Sequence, residues 1–238
     1  MNCSHCLNDC KPDGIDIKQE TFNQFIKFLQ PSVTTLPVPI LISGGEPTLH
    51  PDWFNLVKFI LEQTKHPVCL LSNGMFLDND EQVEKLKQLL QFKTFKIQLT
   101  HDPRFYPIHI NYKKAKQLNL SVEKNIRCLL PIGRAKKNNL KGCINKYSDC
   151  FNAMFAKKQK PQLNFWQIIN AFCKAGKFCF PLITPEGDIK LGQSFFCKSA
   201  GTIYQDEVEL SENILLHNCN LCGLKNSDFE HDSKTITV

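Results

Sequence analysis

Four short apolar runs, each ending in a polar motif and separated by stretches of helical periodicity, limit what this chain can fold into. They are Pro39 to Ile42, Val68 to Leu71, Phe95 to Thr100 and the extended run from Ser121 to Ile132. Between them Trp53, Leu56, Val57, Ile60 and Leu61 mark one face of a helix over 52–63, and Val83, Leu86 and Leu90 mark another over 80–91. Before the first run, Phe22, Phe25, Ile26 and Leu29 repeat in the same way over 18–29, and Pro31 is expected to stop that helix. A strand that returns through a helix re-enters its sheet in the same direction, so the alternation predicts an α/β fold: an open parallel sheet with outer helices.

Ligands of such sheets gather at the carboxyl ends of the strands, and the polar motifs stand there. The first run opens into Ser43-Gly44-Gly45-Glu46-Pro47-Thr48. Adjacent glycines let a backbone approach a ligand closely, Glu46 adds a carboxylate, and Pro47 stiffens the turn, so the loop can hold an amino group. Ser72-Asn73-Gly74 ends the second run, His101-Asp102 the third, and Gly133-Arg134-Ala135 follows the fourth. Turn and capping duties suit His101, Asp102 and Asn73 equally well. Cys69, in mid-strand, reads as a small core residue.

Twelve cysteines in 238 residues call for an explanation. No apolar run is long enough for a membrane span, and the start lacks the regions of a signal peptide, so a cytoplasmic location is expected. Thiols stay reduced there, which points to metal or redox chemistry rather than disulfides. Cys3, Cys6 and Cys10 cluster at one end, while Cys179, Cys197, Cys219 and Cys222 lie near the other. The second set would come from a hairpin over 180–191 turning at Pro185-Glu186-Gly187-Asp188, a loop, and a C-x2-C turn. Four such thiolates suit tetrahedral iron or zinc and would tie together a tail too small for its own core. The net charge of +6 comes from scattered lysines without an interleaved aromatic platform, which speaks against a nucleic-acid partner. A helix over 165–173, closed by Gly176, precedes the tail, with Cys173 on its packed face.

Cys3-Ser4-His5-Cys6, Gly44-Gly45-Glu46-Pro47 and Gly133-Arg134-Ala135 together resemble the radical S-adenosylmethionine (radical SAM) superfamily. The resemblance implies a partial (β/α)6-type barrel, here without its first strand. It implies a [4Fe-4S] cluster on thiolates that include Cys3 and Cys6, with His5 where an aromatic ring flanks the adenine. Gly44, Gly45, Glu46 and Pro47 would then place the methionine amino group of S-adenosylmethionine, Ser72 and Asn73 would lie near its ribose and carboxylate, and the Gly133 backbone would run along the adenine edge. The family pattern is C-x3-C-x2-C, and its first cysteine would stand four positions before Cys3. A start codon chosen too late, a truncated chain, or Cys10 as a substitute ligand would each account for this; the first is expected, with Cys10 a bystander.

The spacing Cys179-x17-Cys197, with Gly192 five positions before Cys197 and C-x2-C later, resembles the twitch domain, a shortened relative of the SPASM extension. That resemblance implies one auxiliary [4Fe-4S] cluster on Cys179, Cys197, Cys219 and Cys222, with zinc as the alternative and Cys150 as reserve ligand. The implied division is a partial barrel over 1–135, a connecting segment with a helix over 136–178, and a twitch-like extension over 179–238. The implied activity is reductive cleavage of S-adenosylmethionine to a 5'-deoxyadenosyl radical that abstracts hydrogen from a peptide or small-molecule substrate. A low-potential donor such as flavodoxin or ferredoxin would supply electrons, and the auxiliary cluster would relay them. The alternative is a degenerate member that cleaves nothing and serves as a metal-binding partner or electron-transfer protein.

Overall fold

A computed structural model of the chain describes residues 3–6, 8–33, 38–106, 108–124, 133–140, 164–175, 181–192 and 194–216. Four parallel strands, β1 (Ile40–Ile42), β2 (Val68–Ser72), β3 (Phe95–Thr100) and β4 (Val122–Glu123), form one sheet in the order β1-β2-β3-β4. The register sets Ile40 beside Val68, Leu70 beside Ile97, and Leu99 beside Val122. Helices α1 (Gln19–Val33), α2 (Trp53–Gln63), α3 (Asp80–Leu89) and α4 (Tyr112–Gln117) connect or precede these strands. Their apolar stripes bury Phe22, Val57, Ile60 and Leu86 against Val68, Leu70, Phe95 and Leu99 on one face of the sheet. This is the open parallel α/β sheet with outer helices that the alternation predicts.

Side chains alternate across a strand, so the other face of the sheet carries Leu41, Cys69, Leu71, Lys96 and Gln98. Leu41 is 55% exposed there, and the Gln98 amide donates to the Glu123 carboxylate at 3.2 Å. Cys69 is therefore half-buried on the face opposite the helices rather than packed in the helix-side core. Parallel strands covered on both faces read as continuous apolar runs. The alternation Phe95-Lys96-Ile97-Gln98-Leu99-Thr100 marks a strand with one wet face, as a barrel interior that admits a ligand requires.

Helix α1 continues to Val33, past the expected stop at Pro31. A proline this close to a helix end removes one N–H and crowds one carbonyl, and the remaining residues still form their turn. The helix packs on both sides: Phe22 and Ile26 enter the first core, and Leu29 enters a second.

That second core changes the expectation for the C-terminal part. Helix α6 (Phe165–Ala175), an antiparallel sheet of β5 (Pro181–Ile183), β6 (Asp188–Leu191) and β7 (Ser199–Thr202), and helix α7 (Glu207–Leu216) bury Phe165, Ile168, Ile189, Leu191, Leu210 and Ile214 together. The expected hairpin is β5-β6, turning over 184–187; β7 and α7 were not anticipated. The tail thus shares a core with α6, Val38 and Leu29, and Phe25 and Phe28 of α1 pack against it. The Phe28 ring lies 5.1 Å from those of Phe165 and Trp166, and the Gln24 amide donates to the Ile203 carbonyl at 2.9 Å. Among the described residues no helix is long and apolar enough to cross a membrane. Gly176, Cys143, Cys150, Cys179, Cys219 and Cys222, and the Cys173 side chain, lie outside the described residues.

Gly74 is where this packing leaves least room. It has φ +78, starts the 3-10 turn Met75–Asp78, and a Cβ there would sit 2.4 Å from Ile110 Cδ1 and 2.8 Å from its Cγ1. Gly74→Ala is expected to lower the unfolding free energy by about 1–3 kcal/mol, from left-handed backbone cost plus overpacking. Urea denaturation reads this out, and an unchanged midpoint would show that the turn relaxes freely.

Candidate functional site

The loops after β1 and β2 are joined by one carboxylate. Glu46 is 7% exposed, and its Oε1 accepts from Thr48 Oγ1 (2.7 Å), the Thr48 N–H (3.2 Å) and Ser72 Oγ (2.7 Å), while Oε2 accepts from the Asn73 N–H (2.8 Å). Glu46 is thus the buried tie between neighbouring strand ends, with Ser43, Gly44 and Gly45 exposed beside it. Ser72 Oγ also accepts from the Gly74 N–H, and Asn73 Oδ1 accepts from the Met75 N–H at 2.8 Å, shaping the second turn. Pro47 begins the 3-10 turn Pro47–Leu49. A proline at such a start loses no bond that the turn would use.

The cysteine loop lies against these strand ends. A Cβ placed on Gly45 would meet the Cys10 Cβ at 3.5 Å, so Cys10 sits directly over the Gly-Gly turn. The Cys10 N–H donates to Cys6 Sγ at 3.2 Å. A hydrogen bond from the Cys10 thiol, followed by main-chain bonds, outweighs burial and pushes the Cys6 thiol down to about 6, while the same bond and burial push Cys10 up. Burial raises the Cys3 thiol, and the neighbouring Cys6 raises it further. The three thiols of this end, Cys10 among them though expected as a bystander, therefore share one loop, with Cys6 the readiest thiolate.

This sets a labelling order for metal-free protein. The thiolate is the nucleophile, so iodoacetamide should modify Cys6 before Cys3 and Cys10 at pH 7. Its rate should fall as the pH drops through about 6. Peptide mapping by mass spectrometry checks this, and preferential labelling of Cys10 at pH 7 would reverse the assignment.

His5 stands between the two cysteines, its ring 5.1 Å from Phe105 and 4.9 Å from Tyr106. Its Nδ1 is buried with no hydrogen-bond partner among the described residues, and burial lowers its pKa. A buried ring nitrogen without a partner is costly, so the position suits a polar group arriving from outside the chain. Tyr106 bonds Thr100 Oγ1 at 3.0 Å through its hydroxyl, and burial pushes that phenol up.

His101 and Asp102, at the end of β3, are occupied by structural work. Nε2 of His101 faces the Ile108 carbonyl at 2.7 Å; a carbonyl only accepts, so this nitrogen carries the proton and Nδ1 accepts from the Tyr112 hydroxyl at 3.0 Å. Asp102 accepts from Arg104 Nε (2.9 Å) and Nη2 (2.6 Å) and from the Arg104 N–H (3.1 Å). The turn-forming reading applies to both.

Gly133 and Arg134 open α5 (Arg134–Lys137) beside the cysteine loop, where the Arg134 N–H donates to the Cys6 carbonyl at 2.9 Å. Arg134 is 9% exposed, a buried cation rather than a surface one. Its partner Asp9 was missed: the residues lie far apart in sequence, and only their opposite charges beside two motifs hinted at the pairing.

At the other end, Cys197 is buried, and a Cβ on Gly192 would sit only 2.4 Å from its Sγ. Glycine at 192, with φ +154, is therefore what lets the thiol close over the end of β6. The loop carrying Cys197 reaches the first cysteine loop, since the Phe195 N–H donates to Asn8 Oδ1 at 2.9 Å. Among the described residues, no three Cys, His, Asp or Glu side chains are closed into a ready metal cage. The donor set and the unpartnered His5 Nδ1 nonetheless fit an iron–sulfur cluster with a nucleoside ligand: soft thiolates on one loop beside open main chain.

No curated protein matches the chain. Among solved structures, it is similar to the crystal structure of BtrN in complex with AdoMet and 2-DOIA, with a TM-score of 0.50 and 12% identity over 92% of this chain and 78% of that one. At that identity the likeness speaks for the fold. A family model described as the radical SAM superfamily matches residues 1–130. Those residues hold the whole parallel sheet, the cysteine loop and the Glu46 tie, and the chain belongs to the radical SAM superfamily.

Proposed function

We propose that this protein is an enzyme that reductively cleaves S-adenosylmethionine and uses the resulting 5'-deoxyadenosyl radical to take hydrogen from a peptide or small-molecule substrate. Superfamily membership supports the general reaction, a [4Fe-4S] cluster and S-adenosylmethionine as its cofactors. The observation that carries the reading is the meeting, at the carboxyl ends of one parallel sheet, of the Cys3–Cys10 loop with the Glu46-tied turns. When bound, the cluster supplies the electron that breaks the sulfonium bond.

The chain's own residues have separable duties. Cys3 and Cys6 hold iron, and exposed Gly44 and Gly45, with Glu46 and Pro47 fixing their turn, receive the methionine amino group. Ser72, Asn73 and Gly133 border the nucleoside, and His5 Nδ1 gains its missing partner there. The third thiolate is Cys10 or a cysteine elsewhere. Cys10→Ser separates these cases, losing iron in the first and keeping it in the second.

Cys179, Cys197, Cys219 and Cys222 hold an auxiliary [4Fe-4S] cluster in a twitch-like extension over 179–238, beyond the barrel at 1–135 and the segment at 136–178. Support comes from the fitted pair Gly192 and Cys197. A cluster with four thiolate ligands has no open iron, so its role is electron relay, and the Asn8–Phe195 contact gives a short connection between the two cysteine loops. Flavodoxin or ferredoxin is the proposed donor, and the cytoplasm the proposed location.

Anaerobic reconstitution with iron and sulfide, followed by dithionite and S-adenosylmethionine, tests the reading. Formation of 5'-deoxyadenosine is expected. Iron uptake without cleavage would leave a cluster-binding scaffold, and zinc in place of iron at the C-terminal cysteines would overturn the relay.

A further inference from the structure

One buried guanidinium gathers most of the cysteine loop. Arg134 Nη1 donates to the Cys3 carbonyl at 2.8 Å, Nη2 to the Cys10 carbonyl at 2.6 Å, and Nε to Asp9 Oδ1 at 2.9 Å. The Arg134 N–H adds the Cys6 carbonyl at 2.9 Å. The next turn of α5 contributes two more ties, Asn138 Nδ2 to the Ser4 carbonyl at 2.8 Å and the Lys137 ammonium to Asp9. The loop makes two short turns of its own, Cys6 N–H to Cys3 carbonyl and Asp9 N–H to Cys6 carbonyl, at 3.2 and 3.3 Å. Those bonds set its local curl; Ser4 also bonds the Phe105 carbonyl through its N–H at 3.3 Å, and Asn8 accepts from the Phe195 N–H, but Arg134 is the residue that reaches the carbonyls of all three cysteines.

Chemistry singles out arginine here. A planar fork with five donors can reach two carbonyls and a carboxylate at once, whereas an ammonium is a point charge on a flexible stem. Main-chain carbonyls are also informative targets, because holding the carbonyl of a cysteine fixes the direction of its Cα–Cβ bond. Asp9 compensates the guanidinium from inside the loop, so the charge is paired where it is buried.

We propose that Arg134, seated by Asp9, is the positioning residue of the cysteine loop: it aims the thiols of Cys3 and Cys6 for an iron–sulfur cluster, and its fixed charge favours the electron added there. This rests on the function proposed above. Groups that orient metal ligands without touching the metal typically contribute roughly 10- to 100-fold to metal affinity.

The test compares wild type with Arg134→Gln, Arg134→Lys and Asp9→Asn after anaerobic reconstitution. Iron retention against a chelator reports geometry. The midpoint of one-electron reduction, poised with dithionite, reports charge. The signal followed is the part of the EPR spectrum that shifts on adding S-adenosylmethionine, which separates this cluster from any on the C-terminal cysteines.

Arg134→Gln is expected to release iron about 10-fold faster or more, and to need a more negative potential for half-reduction. Arg134→Lys should restore the midpoint but not the retention, a split that simple loss of stability does not produce. Should Arg134→Gln fold poorly, Asp9→Asn gives the same direction on retention with the smaller change. Retention and midpoint equal to wild type in both Arg134→Gln and Asp9→Asn overturn the proposal and leave the proposed function intact. A wild type that takes up no iron overturns both.

Discussion

Glu46→Ala is expected to lower the free energy of unfolding by about 3–5 kcal/mol, because it leaves the buried Thr48 and Asn73 N–H groups and the Ser72 hydroxyl without their acceptor. Each lost partner of that kind costs about 1–3 kcal/mol, and the hydroxyls can recover part of it by rotating. Because the carboxylate joins the ends of neighbouring strands, the damage should reach beyond stability. The Gly44–Gly45 turn loses the anchor that sets it beside β2, so S-adenosylmethionine binding should weaken in whatever fraction stays folded. Glu46→Gln keeps one acceptor oxygen but presents an NH2 group to other donors, and should cost less than alanine. Urea denaturation with the fitted slope checked against wild type measures the first effect, and a loss below about 1 kcal/mol would mean that water replaces the carboxylate.

The second large effect concerns sulfur. Cys3→Ser and Cys6→Ser are each expected to leave no 5'-deoxyadenosine above the protein-free background. A serine hydroxyl does not ionise near neutral pH and is a poor ligand for cluster iron, whereas the thiol it replaces becomes a soft anionic donor. Cys6 is the more informative of the two, since the hydrogen bond from the Cys10 thiol pushes its thiol down to about 6 even without metal. Both residues are half-buried on a surface loop, so far-UV circular dichroism should be unchanged and the loss attributable to the site. Full turnover by Cys6→Ser would place the catalytic cluster on other cysteines and break the link between the loop and the glycine turn.

The neighbourhoods of these residues show what can be read in one dimension. β3 and α2 stand where the periodicity placed them, because an alternating strand and an amphipathic helix each carry their own signal over a few residues. The strand-end motifs were legible for the same reason: Gly44-Gly45-Glu46-Pro47 and Ser72-Asn73-Gly74 each hold their turn chemistry within a few positions. What Glu46 does with its oxygens was not legible. Its partners Ser72 and Asn73 come from another strand, and the parallel register brings them to it.

Helix α7 escaped notice because Leu210 and Ile214 are fully buried while Val208, between acidic residues, is 70% exposed, a thin apolar stripe that looks like loop until β7 and α6 supply its other half. For this protein the residue order alone settled the parallel α/β architecture, the polar strand ends and the concentration of thiols at both ends, all being local patterns. Tertiary structure alone decided that Arg134 is buried against Cys3, Asp9 and Cys10, that Asn8 meets Phe195, and that the tail shares a core with α1. Hydrogen bonds and apolar contacts between distant segments leave no period in a sequence, since their partners are chosen by how the layers pack.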